Sequence, residues 1–194
     1  MQKNGVLVDT ALLASRTILG MSIGAHGAQK YFGWFDGPGL EGTARVMDGV
    51  GFRPPEQFAA ATALGEMSSG TLLTLGALGP IGPAVMLSIM LVASETVHKK
   101  NGYFAQDGGI ELNVVYSAAA LLLANVGYGN FSVDKVTGFS KLHKPWVAWL
   151  AVAGGIGAGL SILSLRAPQA RSAPEMASYG AMDNTPPPPE ADAG

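Results

Sequence analysis

The sequence predicts an all-α integral membrane bundle, and three observations carry that prediction. Hydrophobic residues make up 48% of the 194 positions and charged ones only 13%, with a positive mean hydropathy of +0.27, a balance typical of membrane proteins. Apolar runs at about 9–25, 58–78, 83–97, 110–126 and 146–165 lack the two-residue alternation of barrel strands. Only helices or closed barrels satisfy the backbone in lipid, so the runs read as helices, five in all.

The same composition excludes several functions. A net charge of −2 without an arginine-rich run gives no surface for nucleic acid. With no cysteine, the chain forms no disulfide, holds no thiolate-bound metal or iron–sulfur cluster, and does no thiol chemistry by itself. A redox role therefore needs a bound cofactor or a partner protein.

The first run opens near Asp9, a helix N-cap residue, and contains Arg16. One lysine before it, Asp9 at its start and Arg16 within it argue for an uncleaved span rather than a signal peptide. At about 100° per residue, Arg16, Gly20, Gly27 and Lys30 share one broad face, with His26 four residues before Lys30. Gly20 and Gly24 form a G-x-x-x-G pattern, which lets a second helix approach closely. Residues 30–57 read as a glycine-rich loop carrying Trp34 and Phe35, either a functional cover or an aromatic anchor at the membrane surface.

The second run has Glu66 near its middle, on one face with Thr62, Ser69 and Gly70. A charge at the bilayer centre costs at least ~2.5–3.5 kcal/mol, so Glu66 and Arg16 need partners or a function. Arg16–Glu66 is the expected ion pair, with Thr62 and Ser69 as further hydrogen-bonding groups. It can fix helix register, line a proton path or hold a polar head group.

Gly79-Pro80-Ile81-Gly82 is short enough to make the second and third runs antiparallel neighbours, and Pro83 falls in a first turn, where proline is tolerated. The third run carries Met86, Met90, Ser94 and His98 at four-residue steps. The methionines read as core filling. Glu95, His98, Lys99 and Lys100 gather at its end, a solvated terminus in which Glu95 and His98 can share a proton. Glu111 opens the fourth run, where the helix dipole favours a carboxylate, and Asn113, Tyr116 and Asn125 come after it. After the fifth run the composition turns to Ala, Ser, Pro and acids, with four prolines at 186–189, and reads as a disordered tail. His26, His98 and His143 show no ligand spacing, so no metal or haem is expected. Seven of the twelve lysines and arginines fall on the side of Lys30 and four on the side of the N-terminus, which places the N-terminus outside.

Read in order, these residues resemble the DoxX family of small bacterial membrane proteins. The likeness lies in Arg16, in His26-Gly27-Ala28-Gln29-Lys30, in Glu66 followed by Gly70, and in Gly102-Tyr103-Phe104 with Gly108-Gly109-Ile110-Glu111. It continues through Gly127-Tyr128-Gly129 and Ser132-Val133-Asp134, so it covers about 15–134. Tyr128 stands where the family often has proline. The resemblance implies a four-helix core over 1–134, to which this chain adds a linker and fifth transmembrane helix at 135–166 and a tail at 167–194. It also implies a multi-pass location in the inner (plasma) membrane.

Members are associated with the membrane part of thiosulfate:quinone oxidoreductase and with a membrane redox complex beside a sulfurtransferase and a superoxide dismutase. The implied function is a membrane subunit that links sulfur-compound or thiol and oxidative-stress chemistry to the quinone pool. Soluble redox proteins would be its partners and a non-covalent quinone its cofactor. Arg16, Glu66, Thr62 and Ser69 would form an intramembrane polar site, and His26, Lys30, Glu95, His98, Glu111 and Asp134 an interfacial mouth. The alternative is a non-enzymatic membrane scaffold or receptor that recruits soluble partners. The sequence leaves open whether the chain is an enzyme.

Overall fold

The computed structural model describes residues 3–142 and 144–167. His143 and the expected tail from 168 onward, with its four prolines, lie outside the described residues. The described residues form seven α-helices in the order α1 (Lys3–Phe32), α2 (Gly39–Gly49), α3 (Pro55–Leu75), α4 (Ile81–Ala93), α5 (Glu111–Val126), α6 (Val133–Thr137) and α7 (Pro145–Ser164). The described residues form no strand, as expected of an all-α membrane bundle.

Each of the five predicted runs is a helix. Among the described residues three stretches are long and apolar enough to cross a membrane: Gly5–Phe32, Ile81–Asn101 and Pro145–Ser164. With 16 residues, α5 is about 24 Å long. α3 has 21 residues, but its polar stripe lowers its hydropathy. α1 extends past both ends of its predicted run, because nothing in 3–8 or 26–32 breaks a helix.

Glycines set the main packing. A Cβ on Gly20 would lie 2.5 Å from the Gly70 oxygen, and one on Gly27 would lie 2.7 Å from the Ala63 oxygen. The glycine face of α1 is therefore the face laid against α3, and the pairing of 20 with 70 and 27 with 63 makes the two helices antiparallel. α7 docks on α4 the same way: a Cβ on Gly155 would strike the Ala84 backbone and one on Gly159 would lie 3.1 Å from the Ser88 oxygen. The steps 84–155 and 88–159 make that pair parallel. So α1, α4 and α7 run one way and α3 and α5 the other.

The main core gathers Ile23, Leu73, Met86, Met90, Ala120 and Leu123, with Met86 and Met90 as the fillers the sequence suggested. α2 corrects the expected 30–57 loop. Its flanking glycines hide an apolar stripe of Ala44 and Met47, which packs with Phe52 and Ala59. Thr43 then donates to the Lys30 carbonyl at 3.2 Å, fastening α2 to the end of α1. Phe32, Trp34 and Phe35 stay exposed on the connecting turn, with Phe32 stacked on Trp34.

Candidate functional site

A cavity of about 490 Å³ opens at the end of the bundle where α1 finishes and α5 begins. That volume lies within the ~300–1,000 Å³ range of small-molecule sites. Its walls are apolar except for a few groups. α1 contributes His26 and Lys30, α3 contributes Thr62 and Glu66, the end of α4 contributes Thr96 and His98, and α5 contributes Asn113 and Tyr116.

Lys30 and Glu66 form the pair at its centre. The Lys30 ammonium donates to both carboxylate oxygens, at 2.8 and 2.6 Å. Glu66 is 4% exposed, while the Lys30 side chain keeps 28%. Two of the three ammonium donors are engaged by Glu66, which leaves the third for a ligand acceptor. The carboxylate neutralises a cation that would otherwise be costly to hold against apolar walls.

This corrects the expected Arg16–Glu66 pair. The antiparallel α1–α3 register sets Arg16 opposite the C-terminal end of α3, eight residues beyond Glu66 and about 12 Å along the helix. Arg16 is 1% exposed and donates to the carbonyls of Leu73, at 3.0 Å, of Thr74 and of Phe131. The first two belong to the last turn of α3, whose carbonyls lack helical partners. Gly76, at φ 65°, turns the chain back there, with its own N–H and that of Ala77 donating to Leu73 and Leu72. Arg16 is thus a cap on α3 and a tie to the loop after α5. Ser69 also turns elsewhere, donating to the Gly82 carbonyl at 2.8 Å. Thr62 stays beside Glu66 on the cavity wall.

Asp134 belongs to the Arg16 end as well, far from the expected mouth. Its carboxylate accepts from the N–H groups of Leu78, at 2.8 Å, and Gly79, at 2.6 Å. Leu78 sits at φ 60°, a left-handed conformation that costs a side-chain-bearing residue roughly 1–2 kcal/mol. Asp134 holds that turn in place. Beside it, burial and the Asp134 charge push the Tyr128 hydroxyl pKa well up, so the phenol stays protonated.

Of the remaining expected mouth residues, His26 and His98 line the cavity, while Glu95 and Glu111 do not. Glu95 pairs with Lys99 at 2.9 Å on the surface instead of sharing a proton with His98. Glu111 accepts from the Ala105 N–H at 2.9 Å and so shapes the loop ahead of α5. His98 Nδ1 lies 2.7 Å from the Gly108 carbonyl. A carbonyl can only accept, so Nδ1 carries the proton, and in that tautomer of the neutral ring Nε2 is the acceptor.

Sequence periodicity did not reveal how His98 reaches the cavity. α4 continues as a π turn, Ser94–His98, whose extra residue rotates the next side chains by about 100° relative to an unbroken α-helix. Tyr116, hydrogen-bonded to Ser22, and buried Asn113 complete the wall. A polar stripe at 113 and 116 was the only signal for them.

Residues 11–99 match the DoxX family model. They form a DoxX domain. No curated protein and no solved structure matches the chain. The DoxX domain contains Arg16, Lys30, Glu66 and His98, whereas Asn113, Tyr116 and Asp134 come from beyond it. The DoxX match over 11–99 and the three long apolar helices among the described residues point to a membrane protein. Among the described residues no group of three or more metal-ligating side chains assembles. What the DoxX cavity presents is a charge-compensated ammonium donor and an imidazole acceptor within apolar walls. This suits a small, largely apolar molecule that carries a few polar groups.

Proposed function

We propose that the protein is a membrane subunit of a bacterial redox system that binds a quinone in this cavity. The observation that carries the reading is the Lys30–Glu66 pair on an otherwise apolar cavity wall. The spare ammonium hydrogen would donate to a quinone carbonyl, and Nε2 of His98 would accept from a quinol hydroxyl. Reduction of a quinone takes two electrons and two protons. Without a cysteine of its own, the protein would draw the electrons from a soluble partner that handles sulfur compounds, thiols or oxidative stress. The inner (plasma) membrane is where such a subunit meets the quinone pool.

The test is to purify the protein from its native membrane and measure extracted quinone. Wild type should retain quinone, and Lys30→Met and Glu66→Gln should lose most of it. A deletion strain should become more sensitive to thiol and peroxide stress. No quinone on the wild-type protein, together with an unchanged strain, sinks the reading.

A second reading, a scaffold or receptor for soluble partners, is supported by the aromatic groups exposed at the cavity end, among them Trp34, Phe35, Tyr103 and Phe104. Under it, partner co-purification would survive Glu66→Gln and fail on Trp34→Ser.

A further inference from the structure

We infer that the ligand's hydrocarbon tail leaves the cavity through the cleft between α3 and α7 and runs into the surrounding lipid. This rests on the quinone reading, since a cavity of about 490 Å³ holds one small molecule and not a long isoprenoid chain as well. Among the described residues α3 and α7 both pack on α4 and make no extensive contact with each other. The gap is lined mainly by apolar side chains, with Thr96 one turn beyond its floor. α4 supplies its floor with Ile89 and Val92, α3 one wall with Phe58 and Ala61, and α7 the other with Ile162, all of them lining the cavity. Ala61 is also exposed, which puts it at the opening.

The cleft is roofed on the side facing water. Arg166 Nε donates to the Val50 carbonyl at 2.8 Å and the Ala167 N–H donates to the Gly51 carbonyl at 2.8 Å. These bonds strap the end of α7 to the turn before α3. Phe52 is buried beneath that strap. The opening therefore faces sideways, into the bilayer. A second seam that reaches the cavity, between α1 and α5, carries His26, Lys30 and Asn113, and the Ser22–Tyr116 hydrogen bond bridges it. Hydrocarbon there would cover polar groups that need water or a polar ligand. That seam suits proton exchange instead.

Because the chain has no cysteine, Ala61→Cys and Leu112→Cys each carry a single thiol, the second at the α1–α5 seam. Each variant is purified, reconstituted in nanodiscs, and tested before and after capping with pyrene maleimide. The probes are radiolabelled menaquinone with its long tail and tail-less menadione. Capping at 61 should weaken menaquinone binding about tenfold or more, or roughly 1.4 kcal/mol, and leave menadione unchanged, while capping at 112 should change neither. Loss of menaquinone binding on capping at 112 but not 61 would move the tail to the α1–α5 seam and overturn the inference. An equal effect on both probes at 61, or none, would overturn it too. If menadione binds and is lost in Lys30→Met, the quinone reading stands whichever way the tail result falls. If the uncapped protein binds neither probe, both readings fall.

Discussion

Replacing Arg16 with methionine should cost stability without touching the ligand site. The side chain is 1% exposed and donates three hydrogen bonds, to the carbonyls of Leu73, Thr74 and Phe131. Hydrogen bonds from a charged group contribute about 1.5–3 kcal/mol each, but methionine also removes the cost of burying a guanidinium. Three carbonyls left without their donor cost about 1–3 kcal/mol each, and with that relief set against them the net loss should fall near ~2–4 kcal/mol. Lysine should recover little, because the fork geometry that reaches three carbonyls is lost. Unfolding of the purified protein in mixed detergent by SDS titration reads the difference directly.

Quinone retained by the folded fraction reads the rest. Lys30 is 14 residues further along α1, about 21 Å away, so retention should match wild type. A double-mutant cycle sharpens the test. Arg16→Met and Glu66→Gln should add to within ~0.5 kcal/mol, as distant sites do, whereas Lys30→Met and Glu66→Gln should show coupling of about 1 kcal/mol or more. A stability loss below about 1 kcal/mol in Arg16→Met, or quinone loss from a well-folded variant, would refute the assignment of Arg16 as a helix cap rather than a ligand group.

Three further outcomes are expected from the structure. Asp134→Ala removes the acceptor for two backbone N–H groups and should cost roughly 2–4 kcal/mol in the same titration. Adding Leu78→Gly, which relieves the φ 60° conformation, should return about 1 kcal/mol. Gly155→Leu should detach α7 from α4, since even a Cβ strikes the Ala84 backbone, and trypsin should then cut the α6–α7 connection faster than in wild type. His98→Phe removes the tie to the Gly108 carbonyl, so amide exchange in 102–110 should speed up about tenfold, matching the ~1.4 kcal/mol loss of one such bond.

The helices were legible because their signal is collective: long apolar runs and the glycine face of α1 persist whatever the neighbours do. α2 was missed because its apolar stripe is only a few residues wide and glycines flank it. The site was half legible. Helical phase put Lys30 and Arg16 on the face that meets Glu66, but phase carries no information on height along the axis. The antiparallel register, set by which glycines meet, gave Glu66 to Lys30 and Arg16 to the end of α3. Asp134 was grouped with the wrong end for a similar reason: its partners, Leu78 and Gly79, are 56 and 55 residues away in sequence. The π turn at 94–98 had no local signal, because a single inserted residue leaves apolar periodicity intact on both sides.

The cavity draws on two stretches of chain. Lys30, Glu66 and His98 lie within residues 11–99, which carry the family pattern, while Tyr116 and Ile162 reach the same cavity from helices outside it. The ion pair and the imidazole thus come from one stretch, and part of the cavity's contour from the other. A relative could keep the ammonium, carboxylate and imidazole and exchange its last helix, and so accept a molecule of another outline with the same polar handle. Grafting α7 from one such relative onto another is the direct way to retune which molecule fits.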